Sequence, residues 1–267
     1  MTPVAIQYPV GAAGTTVRVM QWGLEGPAVL FLHGLGSHAE LWAAVAPALA
    51  AEGYRCLAVD LPGHGLSSKD ARFAYTLEGH ITWLGALLDA LGEHAVHLVA
   101  SSLGGLWAAG FANAYAQRTA SLTLVGAVGL EPLTSERRRW TAEYLGRMDR
   151  QSIPDRLRRV VENPQAISET FIEQTYRMSN SAGAAEAFAA LGRYYLEHIN
   201  DDLQLEGLIA RDAGPGLMLI WGKADATVAY AGAAARAARE CSLGAVAPLA
   251  RRAAAKRPDR RRGDISH

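Results

Sequence analysis

Ala95-Val96-His97-Leu98-Val99-Ala100-Ser101-Ser102-Leu103-Gly104-Gly105 is the stretch that decides the fold. Ala95–Ala100 is a short apolar run of the kind that forms a strand buried on both faces. A helix rich in small residues follows, from about Leu106 to Gln117. Between the two lies a sharp strand-to-helix turn with Ser102 at its tip. On such a turn a serine stands clear of the sheet with its hydroxyl exposed and a helix N-terminus behind it. Small residues two before and two after, Ala100 and Gly104, let strand and helix come close. The plainer reading of the same string is a glycine-rich helix start.

Working outward, the pattern of a parallel sheet covered by helices repeats on both sides. Upstream, Thr16–Trp22 alternates as an early strand. Ala28–Leu32 is a buried strand ending in His33-Gly34-Leu35-Gly36, and Ala39–Glu52 has helical spacing that stops at Gly53. Arg55–Val59 is the next strand, Asp60-Leu61-Pro62-Gly63-His64-Gly65 a turn, and Thr76–Leu91 a helix closed by Gly92. Downstream, Ser121–Val125 reads as the sixth strand. From Pro132 to Leu205 the chain turns polar, charged and helical, which predicts a helical cap inserted between strands. Strand character returns at Gly216–Trp221, which runs into Gly222-Lys223-Ala224-Asp225. Ala226–Glu240 suits a helix. Beyond it no strand of normal hydrophobic density is expected, and no aromatic residue follows Tyr230.

The expectation is therefore an α/β fold: a mostly parallel central sheet, helices on both faces, a cap after strand six, and a C-terminal strand and helix missing or aberrant. Residues 1–131 form the first part of the core, 132–205 the cap, 206–240 the second part, and 241–267 an aberrant basic tail.

Composition bounds the function. With 267 residues, 50% hydrophobic and 19% charged, the chain can bury a core. A net charge of zero argues against a general nucleic-acid or membrane-surface binder. It hides an asymmetry, because residues 236–267 hold nine Lys/Arg against three acids. Two cysteines make no disulfide framework, no signal peptide is evident at Met1–Val10, and no run reaches the length of a membrane span, which points to a cytoplasmic protein. The expected partner is a small-molecule substrate. No metal cluster and no phosphate cradle implies a cofactor, and oligomeric state is left open.

Two further motifs carry chemistry. An acyl-transfer nucleophile needs main-chain N–H groups aimed at the developing oxyanion, each worth about 3–4 kcal/mol. Leu35, in the turn after a buried strand, and Leu103, after the serine, are the natural pair; the alternative at the first turn is a bland strand end with a buried His33. Asp225, at a strand's carboxyl end, has the place of an acid that orients a histidine. It equally has the place of a helix N-cap.

Together, Leu30-Phe31-Leu32-His33-Gly34-Leu35-Gly36, Val59-Asp60-Leu61-Pro62-Gly63-His64-Gly65-Leu66-Ser67, Ser101-Ser102-Leu103-Gly104-Gly105 and Ile220-Trp221-Gly222-Lys223-Ala224-Asp225 resemble the α/β-hydrolase superfamily in order and spacing. The resemblance is strongest to its capped group of meta-cleavage-product hydrolases, enol-lactonases, small esterases and haloperoxidase-like enzymes, and covers roughly residues 16–240. It implies Ser102 as nucleophile, Asp225 as triad acid, and the backbones of Leu35 and Leu103 as oxyanion hole. His64 falls in a structural turn. A serine at this position argues against haloalkane dehalogenase and epoxide hydrolase chemistry, which needs Asp there. Ester, lactone and C–C hydrolysis, and peroxide-using variants of the same site, all remain compatible.

The family's catalytic histidine follows the last strand in a Gly-His pair. This chain departs from that pattern, because the only histidine after Asp225 is His267, the final residue. Without a base a serine hydroxyl is a poor nucleophile at neutral pH. Two expectations follow: a serine hydrolase of doubtful activity, or an inactive member. The latter is a small-molecule binder or the product of a gene with a shifted frame or truncation near Cys241. His33 and His198 are the internal histidines weighed as substitutes.

Overall fold

The structure is a computed structural model that describes residues 5–145, 147–161, 163–210, 216–222, 225, 227–228 and 245–249. Its centre is an eight-stranded sheet of β1 (Ile6–Ala12), β2 (Thr15–Trp22), β3 (Ala28–Leu32), β4 (Arg55–Val59), β5 (Val96–Ser101), β6 (Thr119–Val125), β7 (Gly216–Gly222) and β8 (Ala245–Leu249). The spatial order is β1-β2-β4-β3-β5-β6-β7-β8. β1 and β2 pair antiparallel, as do β2 and β4, and every other pairing is parallel. β1 has little apolar alternation, which is why the sequence does not announce it. It is closed onto β2 by Ala13 and Gly14, both at positive φ (47° and 74°), as a tight hairpin requires.

Side-chain alternation splits the core into two layers. Leu30, Leu32, Leu57, Val59, Leu98 and Ala100 face one side, under α2 (Leu77–Ala90) and α3 (Leu103–Ala114). Val29, Phe31, Cys56 and Ala58 face the other, with Met20, Trp22, Trp42 and Ala46. A strand covered on both faces has no polar side to show, which explains the unbroken apolar runs. Thr76 caps α2 by accepting the Gly79 N–H at 3.2 Å. The helix expected over 39–52 is broken into a 3₁₀ turn at Ala39–Trp42 and a short helix, α1 (Ala46–Ala51). Pro47, with no N–H to give, fits only the first turn of a helix.

The connections leave β3 toward β4 on one side and β5 toward β6 on the other. The neighbouring carboxyl ends of β3 and β5 thus flank a crevice where the strand order reverses, the usual ligand position in open α/β sheets. Between β6 and β7 the chain forms α4 (Ser135–Leu145), α5 (Ser152–Arg159), α6 (Glu169–Ser179) and α7 (Ala184–Glu197). They reach the loops at that same end. Thr175 Oγ1 lies 3.0 Å from His38 Nε2, and Phe188 packs edge-on against His64. No helix among the described residues is long and apolar enough to cross a membrane.

The sequence reading expected a C-terminal strand that is missing or aberrant, and the structure has one, of low hydrophobic density. β8 pairs in parallel with β7 from Met218↔Ala245 to Gly222↔Leu249. Backbone pairing along the open edge of β7 needs no dense apolar run, and Pro248 is tolerable because an edge strand need not donate on both sides. The rest of the 241–267 tail, and most of the Ala226–Glu240 helix expectation, lie outside the described residues.

Candidate active site

Ser102 ends β5 and caps α3 with φ 51° and ψ −118°, one of two non-glycine residues at positive φ among the described residues. A side chain in that region is strained by about 1–3 kcal/mol and persists only where its surroundings impose it. They do so here. The Ser102 N–H donates to Val125 O (3.1 Å), while its carbonyl accepts from Gly105 N–H (3.0 Å) and Val128 N–H (3.2 Å). A Cβ on Gly104 would stand 2.4 Å from His33 O, and one on Gly105 2.4 Å from Ala127 Cβ. These glycines let α3 press onto the ends of β3 and β6. Ser102 itself is partly exposed.

The loop after β3 meets this turn. A Cβ on Gly34 would lie 2.9 Å from Ser102 Cβ and 3.5 Å from its Oγ. Leu35 follows, half-buried, and Leu103 begins α3. Among the described residues neither amide N–H is engaged in a hydrogen bond. His33 fixes the loop. Its Nδ1 lies 2.7 Å from Gly34 O and its Nε2 accepts the Leu61 N–H at 3.0 Å. Nδ1 is therefore the protonated nitrogen and the ring is neutral. Burial lowers its pKa to about 4, against the opposing charge of Asp60.

Asp225 follows β7 and serves a cap-like role, with Oδ1 accepting the Thr227 (2.8 Å) and Val228 (3.0 Å) N–H groups. Its Oδ2 faces Gly126, where a Cβ would be 3.1 Å away, and Gly126 directly follows the β6 strand that anchors Ser102. Both readings of this residue are compatible with one carboxylate, because each uses a different oxygen. Among the described residues Oδ2 has no hydrogen-bond partner.

No histidine among the described residues joins Ser102 or Asp225. His38 binds Glu40 and Thr175, His80 lies against Thr76 O and stacks on Trp107, and His97 meets Ser121 Oγ. His64 is buried beside His33 and Phe188, and burial holds its pKa well below normal, with His33 adding to the effect. His94 is exposed. His198, weighed as a substitute base, is exposed and faces Glu197 and Asp201. His267 lies outside the described residues.

Two features escaped the sequence reading. Arg18 is buried among Glu40, Asp60 and Gln7, and Asp60 also accepts the Ala39 and Leu66 N–H groups at 2.7 Å each. This cluster braces the loops after β3 and β4; only its spacing in the folded chain reveals it. The second is Arg156 of α5, whose Nη2 donates to Gly36 O at 3.3 Å. The sequence pointed instead to the run Arg137-Arg138-Arg139. There Arg138 donates to Leu196 O, Arg137 lies over the Trp140 ring, and Arg139 is exposed.

Comparisons with known proteins bear on the fold and the family. The dihydrolipoyllysine-residue acetyltransferase component of the acetoin cleaving system of Pseudomonas putida is 29% identical over 216 residues, 79% of this chain and 56% of that protein. The chain thus spans just over half the length of that curated relative. The 2-hydroxy-6-oxo-2,4-heptadienoate hydrolase of Pseudomonas putida is 30% identical over 189 residues, 67% of this chain and 65% of that one. Among solved structures, the 2-hydroxy-6-oxo-6-phenylhexa-2,4-dienoate hydrolase of Rhodococcus sp. superposes with a TM-score of 0.80 at 18% identity, covering 93% of this chain and 91% of its own. At that identity the likeness is one of fold. Residues 27–241 match the family described as alpha/beta hydrolase fold, and with four-fifths of its length inside that match the chain belongs to the α/β-hydrolase family.

Proposed function

We propose that the chain is a serine hydrolase acting on a small ester, lactone or related acyl or C–C substrate through an acyl-enzyme at Ser102. The observation that carries this is Ser102 itself, held at φ 51° beside Gly34, with the Leu35 and Leu103 amides unengaged among the described residues. In this reading Ser102 Oγ attacks the substrate carbonyl, its proton passes to a base, and the amides of Leu35 and Leu103 hold the oxyanion. The leaving group departs with a proton, and water then cleaves the acyl-serine to free acid and serine. Asp225 is the acid that orients the base. The α4–α7 insertion is a cap over the crevice, a role supported by its contacts with His38, His64 and Gly36.

The base is the weak point. All seven described histidines lie elsewhere. Turnover is expected to be slow, since loss of one triad member removes most of the rate and leaves what the oxyanion hole and binding supply. A second reading draws on the same fact. The family match stops at residue 241, where a basic Ala/Arg tail begins. An inactive binder, or the product of a gene with a shifted frame or truncation, has this appearance.

A fluorophosphonate probe separates the two, because labelling at Ser102 demands an activated serine. The hydrolase reading expects labelling that is lost in Ser102→Ala, and slow p-nitrophenyl ester hydrolysis that rises when a Gly-His-containing ending is restored. No labelling in either the parent or the restored chain sinks it. Translation of the flanking DNA in the other two frames decides the frameshift, which needs a strand–Gly-His–helix ending in one of them.

A further inference from the structure

The partners of His38 bear on which of its ring nitrogens carry hydrogen. The residue is 1% exposed and lies three positions past Leu35, on the loop that follows β3. Its Nδ1 is 2.6 Å from Glu40 Oε2, and its Nε2 is 3.0 Å from Thr175 Oγ1 on α6. A carboxylate only accepts, so Nδ1 holds a proton. The Thr175 hydroxyl has one proton to give, and it donates that proton to Phe171 O at 2.7 Å. The bond between His38 and Thr175 is then made by a proton on Nε2. A ring that donates from both nitrogens is an imidazolium.

Two separate features favour the charge. Arg18, Glu40 and Asp60 are joined to His38 in one largely buried cluster. Asp60 accepts from Arg18 and from the Ala39 and Leu66 N–H groups, as an ionised carboxylate does. Two carboxylates against one guanidinium leave an excess negative charge, which a cationic His38 cancels. Uncompensated charge is costly away from water, so the balanced cluster is the cheaper one. From the other side, the Phe171 ring stacks on His38 at 4.3 Å and 27°, and a ring face attracts a cation. The remaining neighbours do not supply that charge. His33 is neutral, and Arg156 of α5 is seated on Gly36 O. The charged side chains of α6, Glu169, Glu173 and Arg177, pair at the surface with Arg158, Arg150 and one another.

We propose that His38 is a positioning residue which, as an imidazolium, ties α6 of the helical insertion to the loop that carries the Leu35 amide. When Nε2 gives up its proton, Thr175 has two acceptors, that nitrogen and Phe171 O, for a single hydrogen. The tie then weakens. Its consequence for an oxyanion at Leu35 rests on the Ser102 reading; the charge and the tie do not.

The test is nuclear magnetic resonance of the full chain carrying 15N-labelled histidine. At pH 7 both His38 ring nitrogens are expected to bear protons, read from their 15N shifts and their couplings to the ring C–H protons. Amide exchange gives the second reading. As the pH is raised and Nε2 loses its proton, protection of the α6 amides should fall roughly 10-fold relative to those of α3, after correction for base catalysis, as one charged hydrogen bond is lost. Thr175→Val deletes the acceptor, so its α6 protection should be low already at pH 7 and fall no further. The proposal is overturned if one His38 nitrogen is bare at pH 7, if α6 protection does not fall as the proton leaves, or if Thr175→Val keeps the parent's protection and its fall. Should that variant not fold, the parent's spectra and exchange decide alone. Neither reading needs turnover. A serine that never acylates leaves the tie intact, and a neutral His38 leaves the serine reading intact.

Discussion

Gly34 and Ser102 touch: a methyl group on the first would sit 2.9 Å from the Cβ of the second. Two loops far apart in sequence therefore share one small volume at the reversal of the sheet. Gly34→Ala should push the turn or the loop aside, with a loss of about 1–3 kcal/mol in chemical denaturation. Any fluorophosphonate labelling should fall further than stability does, because the serine and the Leu35 amide are displaced relative to each other. Unchanged labelling with unchanged stability contradicts the contact.

Strain at Ser102 gives a second expectation. Ser102→Gly and Ser102→Ala both delete the hydroxyl, but only glycine is at ease at φ 51°, ψ −118°. The glycine variant should be the more stable of the two by about 1 kcal/mol, measured by thermal or urea unfolding. Equal stabilities indicate a relaxed turn.

Acid should destabilise the fold through its buried histidines. His33 and His80 have pKa values lowered from 6.5 to about 4, burial being the main cause in each. Between those limits the unfolded chain binds the protons and the folded one refuses them. Stability is therefore full above pH 6.5 and falls as pH drops toward 4, on the order of 3 kcal/mol for each ring. His80→Phe preserves the stack on Trp107 and removes one titrating group. The fall between pH 6.5 and 4.5 should shrink by on the order of 2 kcal/mol.

Glu40 behaves in the opposite sense. Burial alone would raise its pKa, but hydrogen bonds and charge from His38 and Arg18 hold it well below the usual carboxylate range. A depressed carboxylate contributes stability that is complete above about pH 4.5 and is lost as pH falls through the folded value. Glu40→Gln should cost about 2–4 kcal/mol at pH 7, with the gap narrowing below pH 4.5. A gap independent of pH contradicts a charged Glu40.

The sheet was legible because its central strands, such as Leu30–Leu32 and Leu57–Val59, are buried on both faces and leave apolar runs in the sequence. The Ser102 turn was legible because strand, small residues and helix follow one another locally. β1 was not, since its burial alternates weakly, and neither was β8, which is held by backbone pairing along an edge. Arg156 was invisible for a different reason. Nothing in Ser152–Arg159 separates it from Arg158 or Arg159; only the fold, by carrying α5 to Gly36, leaves one arginine buried and the next exposed as a salt bridge to Glu169.

The hydrogen bonds and close approaches that hold the Ser102 turn come from His33, Gly105, Val125, Ala127 and Val128. All of these precede the helical insertion. The Ser102 turn is thus assembled by residues from the first half of the chain, ahead of the helical insertion. Engineering a proton acceptor into this protein becomes a grafting problem at one end, with no need to rebuild the other.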